Sequence, residues 1–257
     1  MSRLIFLGTG DSLNPERAQT SLAVPLPGDE TMLFDASSGT VLLGRLSACG
    51  IPLESVRHLF VSHRHFDHVG GVAPLLTALA AVPDASLTIH AAPETLRALR
   101  GSLGLTIPGA EDWLGKRLGW HELLPGKPTE IGGTEVTHFL MNHGLECLGF
   151  RVAQEDSVAV FAVDTRPSPE VVEGASGANV LVHDTYGPRG ATERAHAMGH
   201  STANDAGEAA RVAGVQHLIL THIRSSEFVD PGQLVAEAEI AFGGPVDAAN
   251  DLDTFDF

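Results

Sequence analysis

Three imidazoles and one carboxylate occupy six consecutive positions in the run His63-Arg64-His65-Phe66-Asp67-His68. The run follows a short apolar stretch and precedes Gly70-Gly71, which indicates a turn after a buried strand. In an extended segment His63 and His65 point to the same side, while Asp67 and His68 lie on the following turn and face a neighbouring point. With 13 histidines in 257 residues, this concentration predicts a metal-binding segment with two adjacent positions.

Four further residues with metal-binding side chains lie where predicted strands end or a predicted helix begins: His143, Asp164, His200 and His222. Nitrogen and oxygen ligands without a thiolate suit zinc, iron and manganese, so the ligand types alone do not separate these metals. The remaining histidines are interpreted as hydrogen-bonded or solvated side chains: His58, His90, His121, His138, His183, His196 and His217.

The elements that must position these residues are short. Apolar runs rich in Val, Ile, Leu and Phe predict strands at residues 4–7, 32–34, 58–61, 87–89, 149–153, 158–163, 180–182 and 217–220. Alanine- and leucine-rich stretches predict helices at residues 40–48, 74–81, 94–100, 202–213 and 233–241. Ser201 or Thr202 can cap the fourth helix, and Gly214 can end it.

This mixture of elements predicts an α/β fold. The Pro/Gly-rich stretches 106–109 and 124–133 are interpreted as connections, so we expect one domain over residues 1–257.

The net charge is −16 and no basic run is present, which argues against a polyanionic partner. Cys49 and Cys147 are expected to be free, buried thiols. Without a leader-like or membrane-spanning pattern, the expectation is a soluble, cytoplasmic protein.

Taken together, the motifs resemble those of the metallo-β-lactamase superfamily and, within it, the ribonuclease Z-like phosphodiesterases. The resemblance extends over nearly the whole chain. Its matching blocks occur in the family's order: Phe6-Leu7-Gly8-Thr9-Gly10, His63-x-His65-x-Asp67-His68, His143, Asp164-Thr165-Arg166-Pro167, Leu181-Val182-His183-Asp184-Thr185, His200-Ser201-Thr202 and Leu218-Ile219-Leu220-Thr221-His222.

The resemblance implies a four-layer αββα sandwich with two divalent metal ions where the ends of the two sheets meet. Zinc is the favoured metal, with manganese and iron as alternatives. It also implies a hydroxide between the ions as the nucleophile. The implied ligands are His63, His65 and His143 for the first ion, Asp67, His68 and His222 for the second, and Asp164 as the bridge between them.

The predicted catalytic residues are Asp67, His200 and Asp184. The resemblance implies that His200 acts as an acid or charge stabiliser during phosphate cleavage. Asp184 would hold His200 in one tautomer, although related proteins usually have the longer glutamate there. Arg166 either binds a substrate phosphate or caps a neighbouring loop. Gly8 and Gly10 are interpreted as a tight turn beneath the metals rather than as a nucleotide site.

One departure from the family limits the substrate. Members that process transfer RNA usually carry a long Gly/Pro-rich arm after the strand that follows the third histidine. Asp164 lies 21 positions after His143, and the 20 residues between them leave no room for the arm, because two predicted strands occupy them. We therefore expect a hydrolase of a small or cyclic phosphodiester.

Three alternatives remain: hydrolysis of a lactone, ester, amide or aromatic substituent at the same centre, tRNA 3′ processing, and a metal-stabilised binding protein without turnover. The expected partner is a small-molecule substrate, with neither nucleic acid nor a membrane, and a homodimer is compatible with the resemblance.

Overall fold

The computed structural model describes residues 2–257, and within them fourteen strands form two seven-stranded sheets. In chain order the strands are β1 (Arg3–Gly8), β2 (Ser21–Leu26), β3 (Glu30–Phe34), β4 (Val56–Phe60), β5 (Leu87–Ala91), β6 (Leu118–Glu122), β7 (Thr129–Ile131), β8 (Thr134–Leu140), β9 (Leu148–Gln154), β10 (Ser157–Ala162), β11 (Val180–Asp184), β12 (His217–Thr221), β13 (Val246–Ala248) and β14 (Thr254–Asp256).

The helices lie in the connections between β3 and β6 and between β10 and β13. They are α1 (Val41–Ala48), α2 (Phe66–Val69), α3 (Val72–Ala80), α4 (Pro93–Thr106), α5 (Ala110–Leu114), α6 (Pro169–Gly174), α7 (Thr192–Met198), α8 (Ala203–Ala213) and α9 (Pro231–Phe242).

Each sheet is half antiparallel and half parallel. The first has the order β14-β1-β2-β3-β4-β5-β6, and pairing is parallel from β3 to β6. The second has the order β13-β12-β11-β10-β9-β8-β7, and pairing is parallel from β10 to β13. Loops after parallel strands leave from the same edge of a sheet, and such edges are where α/β proteins place their sites.

The apolar side chains form three layers of packing. Between the sheets, Phe34 on β3 stacks on Phe161 of β10 at 4.4 Å between ring centroids and touches Phe150 of β9 at 5.3 Å. A second cluster fills the space between the outer face of the first sheet and helices α1, α3 and α4, and a third packs α6, α8 and α9 against the second sheet. This arrangement confirms the four-layer αββα sandwich.

Helix α8 shows how local sequence fixes an element beside the site. The Thr202 hydroxyl accepts a hydrogen bond from the Asp205 backbone N–H, and the Asp205 carboxylate accepts one in return from the Thr202 N–H. This reciprocal capping box satisfies two free donors of the first turn. Gly214 ends the helix with a left-handed φ of 67°. The start of α8 directly after residues 200–202 is therefore rigidly defined.

The strand and helix predictions hold in position, but several elements needed correction. Helix α4 continues to Thr106, six residues beyond the predicted end. The stretch 124–133, interpreted as a connection, contains the edge strand β7. Cys49 and Cys147 are free, but only Cys147 is buried, since Cys49 lies half-exposed after α1. The sequence patterns also missed nine elements, most of them short: β2, β6, β8, β13, β14, α2, α5, α6 and α7.

Gly8 serves close packing rather than a tight turn, which corrects the interpretation made from the sequence. Its φ is not in the left-handed region, but a Cβ atom there would lie 1.9 Å from the Gln19 carbonyl oxygen. The end of β1 thus passes directly against the segment that leads into β2. None of the helices within residues 2–257 is both long and apolar enough to cross a bilayer.

Candidate metal centre

Residues 63–68 begin three positions after the end of β4 and pass into the single turn of α2. The side chains of His63, Asp67 and His68 are buried, whereas His65 is exposed. His65 directs its Nδ1 atom inward, 2.9 Å from His63 Nε2. The run therefore presents metal-binding atoms from the end of a strand and from the turn that follows it.

The other candidate ligands leave the ends of strands in the second sheet. His143 follows β8, Asp164 follows β10 and His222 follows β12. Asp164 and His222 have left-handed φ angles of 67° and 55°. This conformation costs a residue other than glycine about 1–3 kcal/mol and persists where the surrounding structure requires it. At both positions it turns the side chain off the strand and toward residues 63–68.

Asp164 lies between two sets of imidazoles. Its Oδ2 atom is 3.5 Å from His63 Nε2 and 3.7 Å from His143 Nε2. Its Oδ1 atom is 3.3 Å from His222 Nε2 and 3.5 Å from His68 Nε2. Ligand atoms that share a metal at about 2.0–2.2 Å in tetrahedral geometry lie about 3.4 Å apart. Each carboxylate oxygen of Asp164 therefore faces one separate set.

All seven predicted ligands, which we call the metal cluster, converge at this point. Ligand atoms within 4.8 Å of one another form two principal groups: His63, His65, His143 and Asp164 in the first, and Asp67, His68 and His222 in the second. A third combination joins Asp164, His200 and His222, which places His200 beside the second group.

Two buried atoms test whether the cluster fits cations. His68 Nε2 and Asp164 Oδ1 are both inaccessible to solvent, and neither has a hydrogen-bond partner among residues 2–257. A buried polar atom without a partner costs about 1–3 kcal/mol. The two atoms face each other across 3.5 Å, and a divalent cation between them would satisfy both. The nitrogen and carboxylate donors of the cluster thus fit two such ions.

The electrostatics of the cluster also favour a cation. Burial opposes protonation of His68, but the carboxylates of Asp164, Asp35 and Asp67 outweigh it and raise the pKa of this imidazole well above its usual range. Burial is the main reason that the pKa of His63 lies well below its usual range, which keeps that ring neutral. The carboxylates that favour a proton on His68 would equally favour a divalent cation, which binds the neutral ring in place of that proton.

Second hydrogen bonds fix the rings that carry the ligand atoms. With Nε2 facing the cluster, the Nδ1–H of each ring donates to a defined acceptor: Asp35 Oδ2 at 2.7 Å for His68, Ser62 Oγ at 3.0 Å for His63, the Gly199 carbonyl at 3.0 Å for His143, and Thr20 Oγ1 at 2.8 Å for His222. Such partners set the tautomer and orientation of a ligating histidine.

Asp35 is the residue that the sequence analysis missed. It follows β3 with a left-handed φ of 58° and is buried. Its carboxylate accepts hydrogen bonds from the Ser62 backbone N–H at 2.8 Å and from the Ser62 hydroxyl. Through Ser62 and His68 it supports both metal-binding groups. The sequence signal was a carboxylate directly after the predicted strand at 32–34, the same signal that marked Asp164.

His200 stands beside both groups, with its ring 5.5 Å from that of His143 and 5.4 Å from that of His222. Its Nδ1–H donates to Asp184 Oδ2 at 2.9 Å, so the shorter aspartate reaches. Burial opposes protonation of His200, but the hydrogen bond and charge of Asp184 raise its pKa to about 9. His183, interpreted as an uninvolved histidine, packs on the other Asp184 oxygen, with Nδ1 3.4 Å from Oδ1.

Arg166 caps a loop rather than facing the cluster. Its Nε–H donates to the His196 carbonyl at 2.5 Å, and its other nitrogen lies 3.4 Å from the Asn142 carbonyl. Of the two roles considered for this residue, the contacts support the structural one. They tie the segments before His143 and His200 to the end of β10.

A family model described as the beta-lactamase superfamily domain matches residues 30–223. The ribonuclease Z of Haloferax volcanii is 28% identical, and the alignment covers 97% of this chain and 93% of that protein. That alignment runs over 302 positions, although this chain has only 257 residues, so the relative carries insertions that are absent here.

Solved structures show the same fold. The metallo-β-lactamase fold protein YhfI from Bacillus subtilis has a TM-score of 0.85 at 21% identity, covering 99% of this chain and 98% of that one. The short form of human tRNase Z has a TM-score of 0.78 at 19% identity, with 99% and 98% covered.

Proposed function

Because this chain belongs to the metallo-β-lactamase superfamily, in its ribonuclease Z-like branch, and is a metal-dependent hydrolase, we propose that it cleaves small or cyclic phosphodiesters. The observation that carries the proposal is His200. A histidine held by a buried carboxylate beside both metal-binding groups is placed to protonate a leaving oxygen.

The metal cluster would hold two divalent cations, zinc in preference to manganese or iron. His63, His65 and His143 would hold the first and Asp67, His68 and His222 the second, with Asp164 between the two sets. When bound, the cations supply positive charge for the developing oxyanion and lower the pKa of water. Imidazole and carboxylate ligands in tetrahedral spacing are typical of catalytic zinc sites.

In the hydrolysis, the water oxygen forms a bond to phosphorus and the bond from phosphorus to the departing oxygen breaks; the proton that the water loses passes to solvent, and the departing oxygen takes its proton from His200. Asp67 accepts a hydrogen bond from the attacking water at a carboxylate that stays ionised. Burial opposes that ionisation, but the neighbouring His68 and His222 outweigh it and lower the pKa of Asp67. His200 delivers the proton to the departing oxygen through Nε2, since Nδ1 is bonded to Asp184. Asp184 is a positioning residue, which fixes the tautomer of His200.

Charge and chain length favour a small substrate over transfer RNA. A net charge of −16 repels a polyanion, and affinity for nucleic acid depends on Lys and Arg side chains that neutralise its phosphates. Between His143 and Asp164 the chain forms only β9, β10 and the turns around them, so no arm extends from this region. The alignment with the ribonuclease Z of Haloferax volcanii runs over 302 positions, more than the 257 residues of this chain.

The test is a substrate panel with metal-loaded protein. We expect turnover of bis(p-nitrophenyl) phosphate and of a 2′,3′-cyclic nucleotide, and little turnover of p-nitrophenyl acetate or a lactone. Hydrolysis of the carboxylic ester or lactone alone would mean that the enzyme attacks carbon rather than phosphorus. Cleavage of a precursor tRNA at physiological salt, without cleavage of the small diesters, would favour the RNA-processing alternative.

A further inference from the structure

A column of stacked planar groups leads from the metal cluster to the surface. The His222 ring stacks on His200 at 5.4 Å, and His200 stacks on Tyr186 at 5.7 Å with only 19° between the ring planes. The guanidinium of Arg224 lies over the Tyr186 ring at 4.5 Å and over the Phe228 ring at the same distance. Phe228 itself is 60% exposed, so the column ends in solvent.

Arg224 is nearly buried but poorly paired. Its side chain is 16% exposed, and the one carboxylate near it, Asp11, lies at 4.0 Å, the outer limit of an ion pair. Its guanidinium makes no hydrogen bond within residues 2–257, unlike Arg166 and Arg151, which donate to backbone carbonyls. The guanidinium of Arg224, which lies over two rings, thus has five N–H donors without a hydrogen-bond acceptor among residues 2–257.

We propose that Arg224 binds a second oxyanion of the substrate, so that the preferred substrates are small phosphodiesters that carry an additional phosphate group. This inference rests on the proposed function and names its substrate class. Tyr186 and Phe228 hold the guanidinium plane, and Tyr186 sets its position relative to His200.

A guanidinium presents a rigid fork that matches phosphate oxygens in pairs, and stacking on aromatic faces fixes the plane of that fork before the ligand arrives. In a chain with a net charge of −16, the anion must be held by a local cation rather than by the general field. Asp11 at 4.0 Å is paired too weakly to compete with a phosphate in direct contact.

The site would recognise phosphate through its charge and shape, and a carboxylate offers similar chemistry. A matched pair of diester probes separates binding of the second oxyanion from hydrolysis of the scissile diester. Thymidine 5′-(p-nitrophenyl phosphate) carries one charge at the scissile diester, and the same ester with a 3′-phosphate adds the second oxyanion. A third ester with a 3′-O-carboxymethyl group tests whether a carboxylate replaces the phosphate.

For the wild-type, metal-loaded protein we expect kcat/KM to be higher for the 3′-phosphorylated ester, mainly through a lower KM. Arg224→Gln reduces that preference at least about tenfold, the effect of losing one charge-assisted contact. Arg224→Lys retains the charge without the planar fork and restores only part of the preference. Arg194→Gln, which removes an exposed arginine on α7, leaves the preference unchanged.

Binding provides a readout besides turnover. Thymidine 3′,5′-bisphosphate should bind the wild-type protein more tightly than thymidine 5′-phosphate in isothermal titration calorimetry, and Arg224→Gln should remove the difference. Metal content and the thermal unfolding midpoint, measured for each variant, exclude a folding defect as the cause.

Two results overturn the inference while the proposed function stands: diester hydrolysis without any preference for the 3′-phosphate, or a preference that survives in Arg224→Gln. Equal losses on both esters with a lowered unfolding midpoint would assign Arg224 a structural role only. A preference for the carboxymethyl ester over the phosphate would change the substrate class. Hydrolysis of none of the diesters would overturn the proposed function and the inference together.

Discussion

Histidines gather in two places along strands β4 to β6, and their surroundings differ. The metal cluster begins directly after β4 and brings three carboxylates, Asp67, Asp164 and the supporting Asp35, to its rings. The second gathering, which we call the sheet-face histidines, consists of His58, His90 and His121 on β4, β5 and β6.

The sheet-face histidines contact one another, and among residues 2–257 no carboxylate forms an ion pair with them, although the charge of Glu30 acts on His58. His58 Nδ1 lies 3.1 Å from His90 Nε2, and the rings of His90 and His121 are 5.0 Å apart. Among the described residues, their nitrogens form no group that could hold a metal ion. Burial, followed by the charges of His58 and His121, lowers the pKa of His90 to about 3. In this protein, the imidazoles that are accompanied by carboxylates form the candidate cation site, and the sheet-face histidines do not.

The largest loss of activity is expected when the carboxylate between the two metal-binding groups, Asp164, is removed. Asp164→Ala should remove the oxygens that face both sets of imidazoles and lower diesterase activity by more than about 10⁴-fold, beyond the range of a single general acid. Initial rates with bis(p-nitrophenyl) phosphate measure the loss. His90→Phe, which alters the other gathering, should change the rate less than twofold, and a comparable loss there would erase the distinction.

The next largest loss of activity separates catalysis from metal binding at the metal cluster. His200→Ala should lower kcat by about 10²–10⁴-fold, the usual contribution of a general acid, with unchanged metal content. Asp184→Asn should lower kcat by about 10–100-fold, since it disturbs only the orientation of His200, and should leave KM nearly constant. Steady-state kinetics with the small diester check both variants. Activity retained in His200→Ala would remove this residue from the mechanism.

A smaller effect, on metal affinity, is expected at one of two histidine–aspartate pairs that have similar hydrogen-bond distances. Asp35 accepts from His68 at 2.7 Å in the buried cluster, whereas Asp247 lies 2.8 Å from His217 at the surface. Asp35→Asn should weaken metal affinity by about 10–100-fold, as expected for the partner of a ligating imidazole. Asp247→Asn should have no effect in the same competition titration with a chelating dye. Equal effects would mean that Asp35 does not act through His68.

The smallest effect concerns stability at the sheet-face histidines. The folded protein lowers the pKa of His90 to about 3, whereas His90 in the unfolded chain takes up a proton near pH 6.5. Because protonation then stabilises only the unfolded chain, the free energy of unfolding is highest above pH 6.5 and falls progressively below it. His90→Phe retains a ring against Phe60 but removes this titration. Between pH 7 and pH 5, the wild-type unfolding free energy should therefore fall by about 2 kcal/mol more than that of the variant.

Urea denaturation at the two pH values measures this difference, and the metal cluster, common to both proteins, cancels from it. Parallel pH dependence of wild type and variant would contradict the low pKa of His90.

The sequence predicted much of the site because its ligands follow buried strands. The apolar runs at 58–61, 158–163 and 217–220 mark their strands clearly, so the polar residues just beyond them were recognisable. Asp35 was missed because its role depends on β3 and β4 lying side by side, a long-range pairing that local pattern does not reveal. Arg224 was missed because its contacts with Tyr186 and Phe228 form only in the folded chain and leave no local pattern in the sequence.

The most direct test of the account is the metal content of the purified protein. Inductively coupled plasma mass spectrometry should find two divalent ions per chain in the wild type, with zinc as the main element, and fewer than one in Asp164→Ala. Two ions retained in Asp164→Ala, or none bound by the wild type after incubation with zinc and manganese, would contradict the assignment of these seven side chains to a dinuclear centre.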